Sequence, residues 1–141
     1  MHHYRKTVAT YSKLNANDTK HTSCHFCRIA GNEPLIAENK TMMVVKNRVS
    51  YDIFEDRKVI DHLLVIPKDH HDSITTFSDE ERLDAMKIMG EYEALGYSVY
   101  ARGMGSSTRS VKHQHTHLIK LVEKPSRLII YARKPYVLFD I

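Results

Sequence analysis

The sequence predicts an α+β fold, an antiparallel β-sheet of about five strands carrying one long helix, with short helices near the N-terminus. Three observations point there. Short runs rich in β-branched and aromatic residues occur both before and after a single long amphipathic segment. Their order has no regular βαβ alternation, so nothing calls for a parallel sheet. A length of 141 residues matches one core that removes roughly two thirds of the unfolded chain's surface from water.

Taken in order, residues 1–20 form a polar N-terminal arm in which Tyr4, Val8, Tyr11 and Leu14 recur at helical spacing, and residues 21–141 form the domain. Cys24-His25-Phe26-Cys27 leads into Arg28, Ile29 and Ala30 and stops at Gly31 and Pro34, which reads as one or two helical turns. Strands are predicted over 42–46, 50–54 and 62–67, with a polar break at 55–58, and these three are expected to form a meander. Ser78 and Glu81 make a capping box ahead of Leu83, Ala85, Met86, Ile88, Met89, Tyr92 and Leu95 on a broad helical stripe, and Gly96 ends the helix. Further strands are predicted over 97–102, 113–121, 127–133 and 136–139, with a glycine-bearing loop at 103–107.

Composition excludes several classes. A content of 42% hydrophobic and 27% charged residues is that of a globular chain. No apolar run approaches the roughly 18 residues a membrane helix needs, and the first residues lack the apolar stretch of a secretory signal, so a cytoplasmic protein without a membrane partner is expected. The balance of 21 Lys and Arg against 17 Asp and Glu favours anionic ligands in general. Because these cations are dispersed and no aromatics interleave with them, a nucleic acid polymer is not the expected partner. The unusual count is ten histidines beside two cysteines and no tryptophan.

His113, His115 and His117 stand at period two, which in an extended strand puts all three imidazoles on one face and turns Gln114, Thr116 and Leu118 to the other. At roughly 3.3 Å per residue the outer pair lies about 13 Å apart, so the strand alone cannot close three imidazoles on one ion. At least one is left for other work, and a neutral imidazole is a competent nucleophile or general acid near neutral pH. A solvated polar edge strand is the bland alternative. Upstream, residues 103–110 hold small residues, hydroxyls and Arg109, a segment able to offer N–H groups, hydroxyls and positive charge to phosphate oxygens.

From Cys24 to about Leu121 the chain resembles the histidine triad (HIT) family: three alternating histidines ending in the apolar Leu118 and Ile119, a Cys-x-x-Cys near the start, Asn47-Arg48 after an early strand, the run from His62 to His70, the long helix, and Ser110 three residues before the first triad histidine. The resemblance implies a HIT-like nucleotide-binding domain. It also implies an enzyme, a nucleotide hydrolase or nucleotidyl transferase acting at the α-phosphate of nucleoside phosphoramidates or dinucleoside polyphosphates. His115 becomes the nucleophile that forms a covalent nucleotidyl-histidine, His117 contacts the phosphate or assists the leaving group, and Ser110 donates a hydrogen bond there. Asn47 resembles the ribose-contacting position, and with Arg109, Ser110 and His117 completes the implied nucleotide site.

In the zinc-containing bacterial-type branch the ligands map onto Cys24, Cys27, His70 and His113, a Cys2His2 set suited to a closed structural zinc. Competing readings of the cysteines are a redox pair, buried thiols, or zinc ligands partnered by His21 or His25. A homodimer sharing the long helix and a sheet edge is implied by the resemblance. His62 and His71 are expected to be structural or solvent-facing. The sequence departs from the family at Gln114 and Thr116, which replace apolar residues, in the long segment 48–61, and at Arg102, near where many members carry Asn. A catalytically idle nucleotide-binding protein acting through partner contacts is the competing function.

Overall fold

The computed structural model describes residues 24–29 and 34–125. The expected arm at 1–20 and the expected strands at 127–133 and 136–139 lie outside the described residues. The elements are a 3-10 turn at Phe26–Arg28, β1 (Ala37–Glu38), β2 (Met42–Lys46), β3 (Ile53–Phe54), β4 (Arg57–Pro67), a 3-10 turn at Ile74–Thr76, α1 (Asp79–Ala94), β5 (Ser98–Ala101) and β6 (Thr116–Leu121). The protein is α+β, with sheet order β1–β2–β4–β6–β5 and β3 paired onto β4. The pairs β1/β2, β2/β4, β3/β4 and β5/β6 run antiparallel. The described residues fall into two compact units, one comprising 24–29, 34–47 and 63–119 and the other comprising 48–62 and 120–125.

The first unit explains why β2 and the second half of β4 are apolar at nearly every position: each face of the strands is covered. Met42, Val44, Leu63, Val65 and Leu118 turn to one side and pack with Phe77 and with Ala85, Ile88 and Tyr92 of α1. The intervening Met43, Val45, Leu64 and Ile66 turn to the other side and pack with Phe26 and Ile29 of the N-terminal turn. The register Met43↔Ile66 and Val44↔Val65 keeps like-facing residues opposite one another.

Helix α1 begins at the expected capping box: the Ser78 hydroxyl accepts from the Glu81 N–H at 3.3 Å, and the Glu81 carboxylate accepts from the Ser78 N–H at 2.7 Å. Asp79, Glu80 and Glu81 all fall in its first turn, at the positive end of the helix dipole. Gly96, at φ 84°, ends it as expected. The apolar stripe is only partly used, since Leu83, Met86 and Leu95 are exposed.

In the second unit, Glu55 and Asp56 adopt φ of 49° and 55°, reversing the chain in two residues and pairing Phe54 with Arg57. Tyr51 stacks on Phe54 at 6.1 Å and donates its backbone N–H to Nδ1 of the fully buried His62 at 3.1 Å. His62 is therefore structural.

Four expectations are corrected. The strand predicted at 50–54 is only Ile53–Phe54, and the one predicted at 62–67 begins at Arg57, because charged residues that read as a break alternate between exposed and half-buried positions along β4. The meander is replaced by a sheet in which β2 and β3 both pair with β4. The strand predicted from 113 starts at Thr116, since the Gln114 N–H is donated at 2.5 Å to the carbonyl of His71, outside any strand ladder.

The fully buried Leu118 sits in the core beneath α1. Leu118→Ala should cost about 2–5 kcal/mol of unfolding free energy, seen as a lower urea midpoint with an unchanged slope.

Candidate functional site

All the described site residues belong to the first unit. The N-terminal 3-10 turn presents Cys24 and Cys27, the segment after β4 presents His70, and the segment before β6 presents His113. The four possible ligand atoms lie within 4.8 Å of one another, so the cluster could hold a metal ion. Nδ1 of His113 is 3.5 Å from the Cys24 sulfur and 3.4 Å from the Cys27 sulfur. Nδ1 of His70 is 3.3 Å from the Cys27 sulfur.

The far side of each imidazole is anchored. Nε2–H of His113 donates to the Pro67 carbonyl at 3.0 Å, and Nε2–H of His70 donates to the Asp72 carboxylate at 3.1 Å. Both bonds select the tautomer whose Nδ1 lone pair faces the sulfurs, the arrangement that orients metal-binding histidines. Burial drives the His113 pKa down to about 4, against the hydrogen bond to Pro67, and the neighbouring His70, His115 and His71 add to the fall. The ring is thus neutral and able to ligate. Partial burial, then the adjacent Cys24, raises the Cys27 thiol. Among the alternatives, His25 lies at the start of the turn with its ring 5.8 Å from Phe26, and His21 is outside the described residues.

The three triad rings are 0%, 7% and 5% exposed at His113, His115 and His117, which removes the solvated-edge reading, and β6 lies between β4 and β5. Phe26 packs edge-on against His113 at 5.9 Å and His115 at 5.1 Å, and His115 meets His117 at 5.2 Å. Tyr100 of β5 flanks His117 at 5.8 Å. Gln114 and Thr116 face the α1 side, where they line a cavity with Ala85.

Nδ1–H of His115 donates to the carbonyl of His113 at 2.9 Å. This fixes the proton on Nδ1 and leaves the lone pair on Nε2. Burial lowers the His115 pKa, opposed by that hydrogen bond, and the positive charges of Arg109 and then Arg102 lower it further. Such a ring is an uncharged nitrogen nucleophile in a positive field, suited to an electron-poor centre that carries anionic oxygens.

Arg109 is held by main-chain carbonyls: its Nε donates to Val111 at 3.2 Å, and its Nη2 donates to Asp72 at 2.8 Å and to Lys112. Ser110 is exposed, and Asn47 is half-buried just after β2. Phe26, Pro67 and Asp72 escaped the sequence reading. Asp72, two residues after His70, was the one with a readable signal. His71 is bonded through Nε2 to Glu81 at 2.7 Å and through Nδ1 to Thr76 at 2.9 Å, which makes it structural.

An α+β chain whose buried imidazoles alternate into an interior strand of the sheet defines a histidine-triad type of protein. No family model matches the chain, and no curated protein does. Solved structures do. A histidine triad protein from Clostridium difficile is 27% identical, with 74% of this chain and 95% of that one covered at a TM-score of 0.50. A HIT family hydrolase from Legionella pneumophila is 25% identical, covering 68% and 90% at 0.50. A HIT family hydrolase from Clostridium thermocellum shares the fold at 21% identity, covering 77% and 100% at 0.56. In its fold and its alternating histidines the chain is similar to histidine triad proteins.

Asp72→Asn should weaken metal binding about 10–100-fold, measured by competing bound cobalt(II) away with a chromophoric chelator. Unchanged affinity would mean that the carboxylate does not orient His70.

Proposed function

We propose that this chain is a nucleotide hydrolase or nucleotidyl transferase acting at the α-phosphate of nucleoside phosphoramidates or dinucleoside polyphosphates. The observation that carries the reading is the tautomer of His115. Its Nδ1–H is committed to the His113 carbonyl at 2.9 Å, so its Nε2 is the atom available for attack. That nitrogen forms a bond to the α-phosphorus as the bond to the leaving nitrogen or oxygen breaks with its electron pair. Water, or another acceptor, then displaces His115 from the nucleotidyl-histidine.

His117 contacts the phosphate or delivers a proton to the leaving group, and Ser110 donates a hydrogen bond there. Arg109 contributes positive charge while its own donors hold the loop, and Asn47 contacts the ribose. The HIT hydrolases among the structural relatives support a reaction of this class.

The metal in this reading is zinc. Two thiols and two neutral imidazoles with anchored far sides suit a closed tetrahedral site, so Cys24, Cys27, His70 and His113 would hold it as a structural ion tying the N-terminal turn to the segment preceding β6. Two free cysteines at such a site fit a reducing compartment, hence the cytoplasm. Among the described residues no helix is long and apolar enough to cross a membrane. The exposed Leu83, Leu95 and Val99, with β5 at the sheet edge, support a homodimer.

The test is a rapid-quench reaction with adenosine and guanosine phosphoramidates and polyphosphates, followed by intact-chain mass spectrometry. A nucleotide-sized adduct is expected, and His115→Ala should abolish it and lower kcat/KM at least about a thousandfold. Neither adduct nor turnover across the panel would overturn the catalytic reading in favour of an idle nucleotide binder. Zinc should be found at one per chain, and Cys27→Ser should release it and lower Tm.

A further inference from the structure

Behind the triad, on the sheet face turned to α1, lies a cavity of about 240 Å³. Its walls are apolar: Phe77 and the thioethers of Met42, Met86 and Met89. Its polar lining is the exposed Arg82 together with Gln114 and Thr116, the two residues between the triad histidines, which are 4% and 9% exposed. Among the described residues neither the Gln114 carboxamide nor the Thr116 hydroxyl has a hydrogen-bond partner. The space opens to solvent beside the exposed Ile74 and Met86, so a ligand entering it can offer these two side chains the hydrogen bonds that the protein does not.

We infer that this cavity binds a small, uncharged aromatic carboxamide or lactam. The Gln114 side chain offers a donor and an acceptor side by side, and an amide edge returns one acceptor and one donor. A carboxylate would set an anionic oxygen against the Gln114 carbonyl. Arg82, which also lines the space, does not redress this, because its guanidinium is already engaged by Asp79 at 2.9 Å and by the Thr75 carbonyl at 3.4 Å. Thioethers and Phe77 favour a flat π-system over an alkyl chain. The cavity is slightly below the common ligand-pocket range of about 300–1,000 Å³, which limits the ligand to one or two rings. This site is separate from the imidazole face, so the inference stands or falls apart from the proposed reaction.

The test uses the full chain carrying 13C-methyl methionine, titrated with benzamide and nicotinamide. Saturable shifts are expected at Met42, Met86 and Met89 and not at Met104, with benzoate and toluene binding more weakly. Gln114→Leu, which replaces the unpartnered amide by a similar apolar volume, should leave the fold intact and weaken benzamide at least about tenfold. Ala85→Phe should fill the space and abolish the shifts, whereas His115→Ala should leave them unchanged. The inference is overturned by an absence of shifts at millimolar benzamide, by equal binding of benzoate or toluene, by undiminished affinity in Gln114→Leu, or by loss of the shifts in His115→Ala.

Discussion

His113 is held at three points, and the site depends on that. Its Nε2–H is bonded to the Pro67 carbonyl, its Nδ1 faces the two cysteine sulfurs, and its own carbonyl receives the Nδ1–H of His115. One residue therefore joins the end of β4, the N-terminal turn and the candidate nucleophile. If the backbone at His113 moved, the tautomer of His115 would no longer be selected, because the acceptor that selects it is main chain and cannot re-aim independently. A metal ion held by this cluster would thus act on the candidate nucleophile through position alone.

The polarity around the two candidate ligand histidines follows their exposure. His113 is fully buried and is anchored by a neutral carbonyl, whereas the half-exposed His70 is anchored by Asp72, whose side chain is 58% exposed. A carboxylate beside the buried ring would carry a large desolvation cost. At the solvent edge the same charge is hydrated at little cost. Two thiolates would neutralise a divalent ion, so an additional anion is tolerated only where water can screen it.

Period-two alternation makes the separation of His113, His115 and His117 from Gln114, Thr116 and Leu118 legible in the sequence itself, and it holds even though β6 begins only at Thr116. The Cys-x-x-Cys turn, His70 and His113 were legible as a cluster through resemblance, since nothing in sequence spacing brings residue 27 to residue 113. The capping box and Gly96 were legible because they are local hydrogen-bond chemistry. Strand boundaries were not, because Arg57 and Lys58 lie on a strand with exposed positions, and charge there says nothing against pairing. The anchors were hidden for another reason. Pro67 acts through its carbonyl, which every residue has, and Phe26 acts by packing edge-on against two rings far from it in sequence.

The same alternation accounts for the polar residues that looked anomalous. An interior strand buried on both faces ordinarily alternates between two apolar cores, as β2 does. Along the triad one face carries imidazoles, of which His113 and His115 are bonded to main-chain carbonyls. The other face carries Gln114 and Thr116 before returning to Leu118, which packs in the α1 core. On that face the polar pair gives way to the buried Leu118, and the next polar residue, Lys120, is only half-buried near the strand's end. The two deeply buried polar residues therefore flank His115, on the reverse side of the candidate nucleophile, where the cavity lies.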